Sequence, residues 1–327
     1  MYQNRRTQSI WKLTYNLIYP MDLSLSFLQK YSITFESCIP IGKGLNRSAS
    51  LIVGSGKKYV LKTHKLSRQF DTEVYFNNYL SEKGYPVAKV IKNKDNELIT
   101  LEDGWQAAIF EFKKGVEINS ASINNNLAID LAKVIAKLHK EMYNQDIISA
   151  ENRFGCRISS VEGVNNQEII NKWKSLNNES KNINTNDFRK SLIHGDLTRE
   201  NILTTSDKRH VDAIIDFGDS HNDYIAWDLA VLLTHIFITK TYGIDFPALK
   251  TFIDTYNYYL PLPKEESWSL IFFMKIRNLN LAIEVNSLQK IQPMINKDEL
   301  ISIENSALTK LEMIEDNKQK LQNILFR

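Results

Sequence analysis

One stretch constrains this chain of 327 residues more than any other: Leu192-Ile-His-Gly-Asp-Leu-Thr-Arg-Glu-Asn-Ile-Leu203, followed by Ile215-Asp-Phe-Gly218, whose Asp216 lies fifteen residues after Asn201. The residues between read as a hairpin, with apolar Ile202 and Leu203, a polar turn from Ser206 to His210, and apolar Ala213 to Ile215. A hairpin returns its ends to each other at a strand spacing of about 5 Å, so Asn201 and Asp216 become neighbours. An amide oxygen beside a carboxylate suits Mg²⁺, a hard ion that takes oxygen ligands and keeps waters and substrate phosphates around it. Asp196 precedes Asn201 on a loop at the mouth of the same hairpin, where it can orient or accept the proton of an attacking hydroxyl. Phosphoryl transfer asks a protein mainly for positioning and charge neutralisation. The bland alternative makes His194 and Asp196 a structural turn and Asp216 an ordinary turn residue. The order and spacing of the two halves together favour the chemical reading.

From Ile33 to about Thr63, short β-branched and apolar runs are separated by the pairs Gly42/Gly44 and Gly54/Gly56, which predicts an antiparallel three-stranded meander. Lys62 stands in Tyr59-Val-Leu-Lys-Thr63 on the same face as Val60, and from there can reach the α- and β-phosphates of a nucleotide. Glu73 falls on the following helix, about residues 68 to 83, placed to hold the Lys62 ammonium; a surface pair of little value is the competing view. The turn Ile41-Gly-Lys-Gly-Leu-Asn-Arg-Ser48 either lies over phosphates, through Gly42, Gly44 and Ser48, or is a simple hairpin connection. Strands at 97 to 102 and 106 to 112 close the sheet, and the backbone at its end, Glu111 and Phe112, is a candidate for hydrogen bonds to an adenine edge.

After Lys113-Lys-Gly115 the period becomes helical: Leu127, Leu131, Val134, Ile135 and Leu138 form one stripe. Helical patterns recur at 166 to 178, 225 to 240, 247 to 259, 264 to 290 and 297 to 324, interrupted by a strand-rich insert at 191 to 217. The expected class is α+β and bilobal: a small antiparallel sheet lobe with one helix, and a larger, mainly helical lobe. The expected division is a leader with a short helix at 1 to 32, a nucleotide-binding lobe at 33 to 113, and a helical lobe at 114 to 327 carrying the catalytic and metal segment 191 to 219 and the acceptor site. A cleft between such lobes is a common place for a ligand.

Forty-one Lys and Arg against 38 Asp and Glu leave +3, spread along the chain, which argues against a dedicated nucleic-acid binder. Cys38 and Cys156 fit neither a disulfide framework nor a zinc spacing. The first twenty residues lack the apolar core and cleavage site of a signal peptide, and no 18 apolar residues run together, so a cytoplasmic protein without a membrane partner is expected. Oligomeric state and the role of residues 1 to 20 stay open.

These motifs resemble the aminoglycoside phosphotransferase and choline kinase superfamily, which shares the protein-kinase-like fold, over about residue 33 to the C-terminus. His194-Gly-Asp-Leu197 and Ile215-Asp-Phe-Gly-Asp219, followed by Trp227-Asp-Leu-Ala230, are closer to that superfamily than to protein kinases, whose A-P-E segment is missing. Ile214 to Ser220 and Lys275 to Ile283 are most similar to the hydroxylysine kinase branch. The resemblance implies Asp196 as catalytic base, Asn201 and Asp216 as metal ligands, Lys62 with Glu73 as the phosphate-binding pair, and Asp228 as a brace of the loop. Arg47 stands where a protein kinase places its third glycine, which leaves the loop's phosphate contacts open.

The acceptor is read from the helical lobe. Asp219 and Asp223 follow the metal segment and could face a cationic substrate, or be solvated loop acids. Arg277, Asn280 and Glu284 share a helix face that offers a cation to a carboxylate and an anion to an ammonium, as a zwitterionic amino acid requires, or form an ordinary polar stripe. The expected reaction moves the γ-phosphoryl of ATP or GTP, with Mg²⁺, to a hydroxyl of a small amine-bearing metabolite such as hydroxylysine. The rivals are an aminoglycoside, homoserine or choline kinase, and a nucleotide-binding regulatory protein that has lost catalysis.

Overall fold

The computed structural model describes residues 21–43, 47–118, 123–143, 156–291 and 297–326. The chain enters through α1 (Met21–Gln29) and then forms β1 (Phe35–Lys43), β2 (Arg47–Gly54) and β3 (Lys57–Lys65). Between β2 and β3, Ser55 and Gly56 both take positive φ, the geometry of a two-residue turn that matches the strand twist. That turn fixes the register, and Ala49 pairs with Lys62 while Ser48 pairs with Thr63. Ser67 caps α2 (Arg68–Glu82) by accepting from the Phe70 amide. Gly84, at φ 78°, follows the helix and turns the chain away. Then come β4 (Val90–Ile91), β5 (Thr100–Glu102) and β6 (Trp105–Glu111). The sheet runs β1-β2-β3-β6-β4, with β5 also on β6, all antiparallel.

Period-two alternation gives this sheet two apolar faces. One buries Ile52, Leu61, Ala107 and Ile109 against Phe27, Leu28 and Tyr31, at and just beyond α1. The other buries Ala108 and Phe110 against Phe70 and Val74 of α2, and Lys62 lies on it by alternation. The leader helix therefore belongs with the sheet and covers the face opposite Lys62. Strand five is shorter than the expected 97 to 102, because Asn93 accepts from the amides of Asp95 and Glu97 and ties the residues before it into a turn.

The remainder is mainly helical. It comprises β7 (Val116–Glu117), α3 (Asn125–Tyr143), α4 (Gln167–Glu179), β8 (Lys190–Ile193), β9 (Ile202–Thr204), β10 (Val211–Ile214), β11 (His221–Tyr224), α5 (Ile225–Phe237), α6 (Phe246–Tyr259), α7 (Lys264–Ile291), α8 (Lys297–Asp316) and α9 (Lys318–Leu325). Helix α5 is apolar on nearly every side and buried along almost its whole length, so it forms the axis of this core. It stops at Phe237, three residues before the expected end, where Ile238–Thr239 pairs with Gly243–Ile244. The expected single helix at 297 to 324 is two, broken at Asn317. The strand-rich insert extends past residue 217, because β11 returns to pair with β8. No described helix is long and apolar enough to cross a membrane.

Candidate active site

Two loops meet beneath the sheet, one from β8 to β9 and one from β10 to β11. Their meeting follows from the β9–β10 hairpin, in which Ile202 pairs with Ile214 and the Ile215 amide donates to the Asn201 carbonyl at 2.9 Å. The same hairpin is tied to the chain that follows α2, since the Ile214 amide donates to the Pro86 carbonyl at 2.7 Å. Asn201 and Asp216 thus lie side by side at the open end of the hairpin.

A buried histidine joins the loops. His194 donates through Nε2 to the Ile215 carbonyl at 3.1 Å and accepts at Nδ1 from the Asp196 amide at 3.3 Å. Burial pushes its pKa below the ordinary value, which keeps the ring neutral as this donor–acceptor pattern requires. Its ring packs 4.5 Å from that of Phe217, which also meets Phe76 of α2 at 4.9 Å. Gly195 has φ 81°, and a Cβ there would sit 2.4 Å from the Asp219 carbonyl oxygen. Behind both loops, fully buried Asp228 of α5 accepts from the amides of His194 at 3.0 Å and Gly195 at 2.9 Å. Burial alone would raise its carboxyl, but His139 and these amides hold it below the usual range. His139 lies 3.2 Å from Asp228 and 2.7 Å from the Tyr256 hydroxyl, whose proton burial retains.

Asp196 is held at both oxygens. Asn201 Nδ2 donates to its Oδ2 at 3.1 Å and to its carbonyl at 2.8 Å, and Arg277 Nη2 donates to Oδ1 at 2.7 Å. Burial raises the Asp196 carboxyl above the usual carboxylate range against the pull of Arg277, and Asp216 and Glu200 add to the rise. Because Asn201 turns its amide nitrogen to Asp196, its amide oxygen faces the other way. The Asp216 side chain is 44% exposed and adopts the left-handed conformation, φ 66°. This pairing of an amide oxygen with an open carboxylate fits a hard divalent cation.

Lys62 reaches across from the sheet. It pairs with Glu73 of α2 and, at 2.8 Å, with Asp216. Burial opposes its charge, but the two carboxylates more than offset this and raise the ammonium's pKa. The structure therefore brings Lys62, Glu73, Asp196, Asn201, Asp216 and Arg277 to one place.

Other expected positions are arranged differently. Gly42 pairs with Ala49 at the end of β1, and Gly44 lies outside the described residues. The Ser48 hydroxyl bonds Thr63 at 2.8 Å on the sheet face opposite Lys62, which removes it as a phosphate contact from that face. The Phe112 amide donates to the Lys58 carbonyl at 3.2 Å, and the Glu111 amide to Lys89 at 2.8 Å, so both N–H groups serve the chain and not an adenine edge. The Glu111 carboxylate pairs with Lys113 at 3.3 Å. Asp223 is 5% exposed and accepts from the amides of Cys156 at 2.9 Å and Tyr224 at 2.7 Å. It therefore braces the chain, while Asp219, four residues earlier, offers its carbonyl to His221 at 2.6 Å. Asn280 accepts from the Ser159 amide at 2.9 Å and donates to the Arg157 carbonyl at 2.7 Å. That strip of chain covers the middle of the Arg277 to Glu284 stripe, so the face is divided.

Gly195, His139 and Tyr256, and Arg199, His235 and Lys310 near Arg277, surround these loops and are not among the residues expected to act. Only His139 carried a signal, a histidine closing the apolar stripe of α3.

A family model described as the phosphotransferase enzyme family matches residues 37–257. The chain belongs to that family. This phosphotransferase is 24% identical over 250 residues to a homoserine kinase of Neisseria meningitidis serogroup B, covering 73% of this chain and 80% of that protein. It is 24% identical over 192 residues to a hydroxylysine kinase of Mus musculus, covering 50% and 51%. Its fold is similar to that of an amicoumacin kinase in complex with AMP-PNP, Ca²⁺ and Ami, with a TM-score of 0.71 at 14% identity, covering 91% of this chain and 94% of that one. The protein-kinase-like architecture expected from the motifs is thus the one observed.

Proposed function

We propose that this phosphotransferase is a small-molecule kinase that moves the γ-phosphoryl of ATP or GTP to a hydroxyl of an amine-bearing metabolite, with a hydroxy amino acid such as hydroxylysine or homoserine as the acceptor. The observation that carries the reading is the convergence of Lys62, Asp196, Asn201 and Asp216 from both lobes, with Asp196 held at both oxygens. Residues 33 to 113 are assigned to nucleotide and residues 114 to 327 to chemistry and acceptor, with 1 to 32 as a leader ending in a helix.

On this reading Asp196 orients the acceptor hydroxyl and accepts its proton, held in aim by Asn201 and Arg277. Glu73 keeps Lys62 directed at the cleft, and Lys62 exchanges Asp216 for nucleotide phosphate oxygens. Asn201 Oδ1 and the Asp216 carboxylate would hold Mg²⁺, which neutralises phosphate charge when bound. The relatives' acceptors support a hydroxy amino acid, as does a guanidinium beside Asp196, where a polycationic acceptor would be repelled.

The test is nucleotide consumption by purified protein with Mg²⁺ and ATP or GTP, across hydroxylysine, homoserine, choline, ethanolamine and several aminoglycosides, with Asp196→Ala as the blank. One acceptor should stimulate turnover well above the blank. Equal rates in the native chain and in Asp196→Ala for every acceptor would defeat the proposal.

A further inference from the structure

Three cations converge around His235 from different elements, Arg199 from the β8–β9 loop, Arg277 from α7 and Lys310 from α8, and Arg277 links the group to Asp196. Arg199 Nε donates to the His235 carbonyl at 2.8 Å, and its Nη2 donates to that of Ile236. Lys310 Nζ donates to the Thr234 carbonyl at 3.4 Å. These three carbonyls belong to the last turn of α5, where the helix dipole welcomes positive charge. Helix capping accounts for Arg199. It does not account for Arg277, which turns from α5 to Asp196, or for Lys310, whose long bond to Thr234 is its one hydrogen bond among the described residues. No described ion pair includes Lys310, although Glu200 lies near enough to act on it.

His235 sits among the three cations and takes the neutral form, since burial and the charges of Lys310, Arg277 and Arg199 push its pKa well below the ordinary value. It can therefore accept from Arg277 Nε, 3.3 Å away, and fix the guanidinium without neutralising it. Burial and the two arginines also push Lys310 down to about 8. The neighbouring acids offset this charge only in part: Asp196 pairs with Arg277, Glu200 acts on Lys310 and Arg199 without a described ion pair to either, and Asp245 accepts from the Ala248 amide at 3.2 Å to cap α6.

We infer that Arg199, Arg277 and Lys310, with His235 as the orienting acceptor, form an anion subsite that holds the carboxylate of the acceptor while its hydroxyl reaches Asp196. This deepens the kinase reading and rests on it. A guanidinium presents paired N–H groups to the two oxygens of a carboxylate, and the Lys310 ammonium supplies a further charge-assisted donor. Position favours the acceptor over the nucleotide, because the subsite lies on the Asp196 side and Lys62 on the sheet side.

The experiment compares L-homoserine and 5-hydroxy-L-lysine with their decarboxylated counterparts, in the native chain and in Lys310→Gln and Lys310→Arg. For at least one pair, the carboxylate-bearing acceptor should have a KM at least about tenfold lower than its counterpart. Lys310→Gln should erase that advantage, Lys310→Arg should restore most of it, and the KM for nucleotide should stay unchanged. A second readout needs no turnover: with AMP-PNP and Mg²⁺ present, L-2-aminobutyrate, which keeps the carboxylate and lacks the hydroxyl, should raise the Tm of the native chain but not of Lys310→Gln. A Tm rise without turnover of any acceptor would keep the subsite and defeat the kinase reading. Turnover indifferent to the carboxylate and to Lys310→Gln would defeat the subsite alone. A weaker nucleotide KM in Lys310→Gln with an unchanged acceptor KM would make the anion a phosphate and overturn the assignment.

Discussion

A methyl group on Gly195 would lie 2.4 Å from the carbonyl oxygen of Asp219, closer than any unstrained contact allows. The loop bearing Asp196 therefore rests directly on the loop bearing Asp216, and φ 81° at Gly195 is itself unfavourable for a side chain. Gly195→Ala should lower kcat at least about a hundredfold and cost about 2 kcal/mol or more of stability. Steady-state kinetics together with urea unfolding measure both. Unaltered kcat would mean that the loops move independently.

Lys62 has two carboxylate partners, and the variants should separate them. Glu73→Gln leaves the 2.8 Å pair with Asp216 intact, so the KM for nucleotide should rise only about tenfold. Lys62→Ala removes the cation from both acids and should lower kcat/KM for nucleotide by about a hundredfold or more. Nucleotide titrations of both variants at saturating acceptor provide the comparison.

The pH profile should carry the signature of Asp196. Burial raises its carboxyl and Arg277 opposes the rise, and a general base must be ionised to act. The acidic limb of kcat should therefore lie above the range of an ordinary carboxylate. Arg277→Met removes the opposing charge and should move that limb to still higher pH. A limb that moves down or stays in place in Arg277→Met would contradict the coupling.

Asp228 is fully buried and accepts from two loop amides as well as facing His139. Asp228→Ala strands these donors and should destabilise the protein by about 3 kcal/mol or more. Asp228→Asn keeps the shape but offers one acceptor where the amides need two, and should recover only part of the loss. Chemical denaturation of the two variants ranks them.

Legibility followed the range of the interactions. Lys62 was readable because alternation assigns a strand face, and Asp196 with Asp216 because a hairpin must return its ends together. Ser48 could have been read too: the two-residue turn at Ser55 and Gly56 sets the register, and the register puts Ser48 beside Thr63, away from Lys62. The occupied amide of Phe112 depends on where β3 begins relative to the end of β6, and no local pattern fixes that. The convergence of Arg199, Arg277 and Lys310 depends on how α7 and α8 pack around the end of α5. The spacing of the three cations along the chain carries no trace of it.

The strip of chain at Arg157 to Ser159 is fastened to Asn280 and lies across α7 between Arg277 and Glu284. Three residues of helix, about 4.5 Å of rise, separate Arg277 from Asn280 along the axis of α7. An acceptor held at Arg277 would therefore meet that strip before it reached Glu284, so one face of α7 does not serve both charges of a zwitterion.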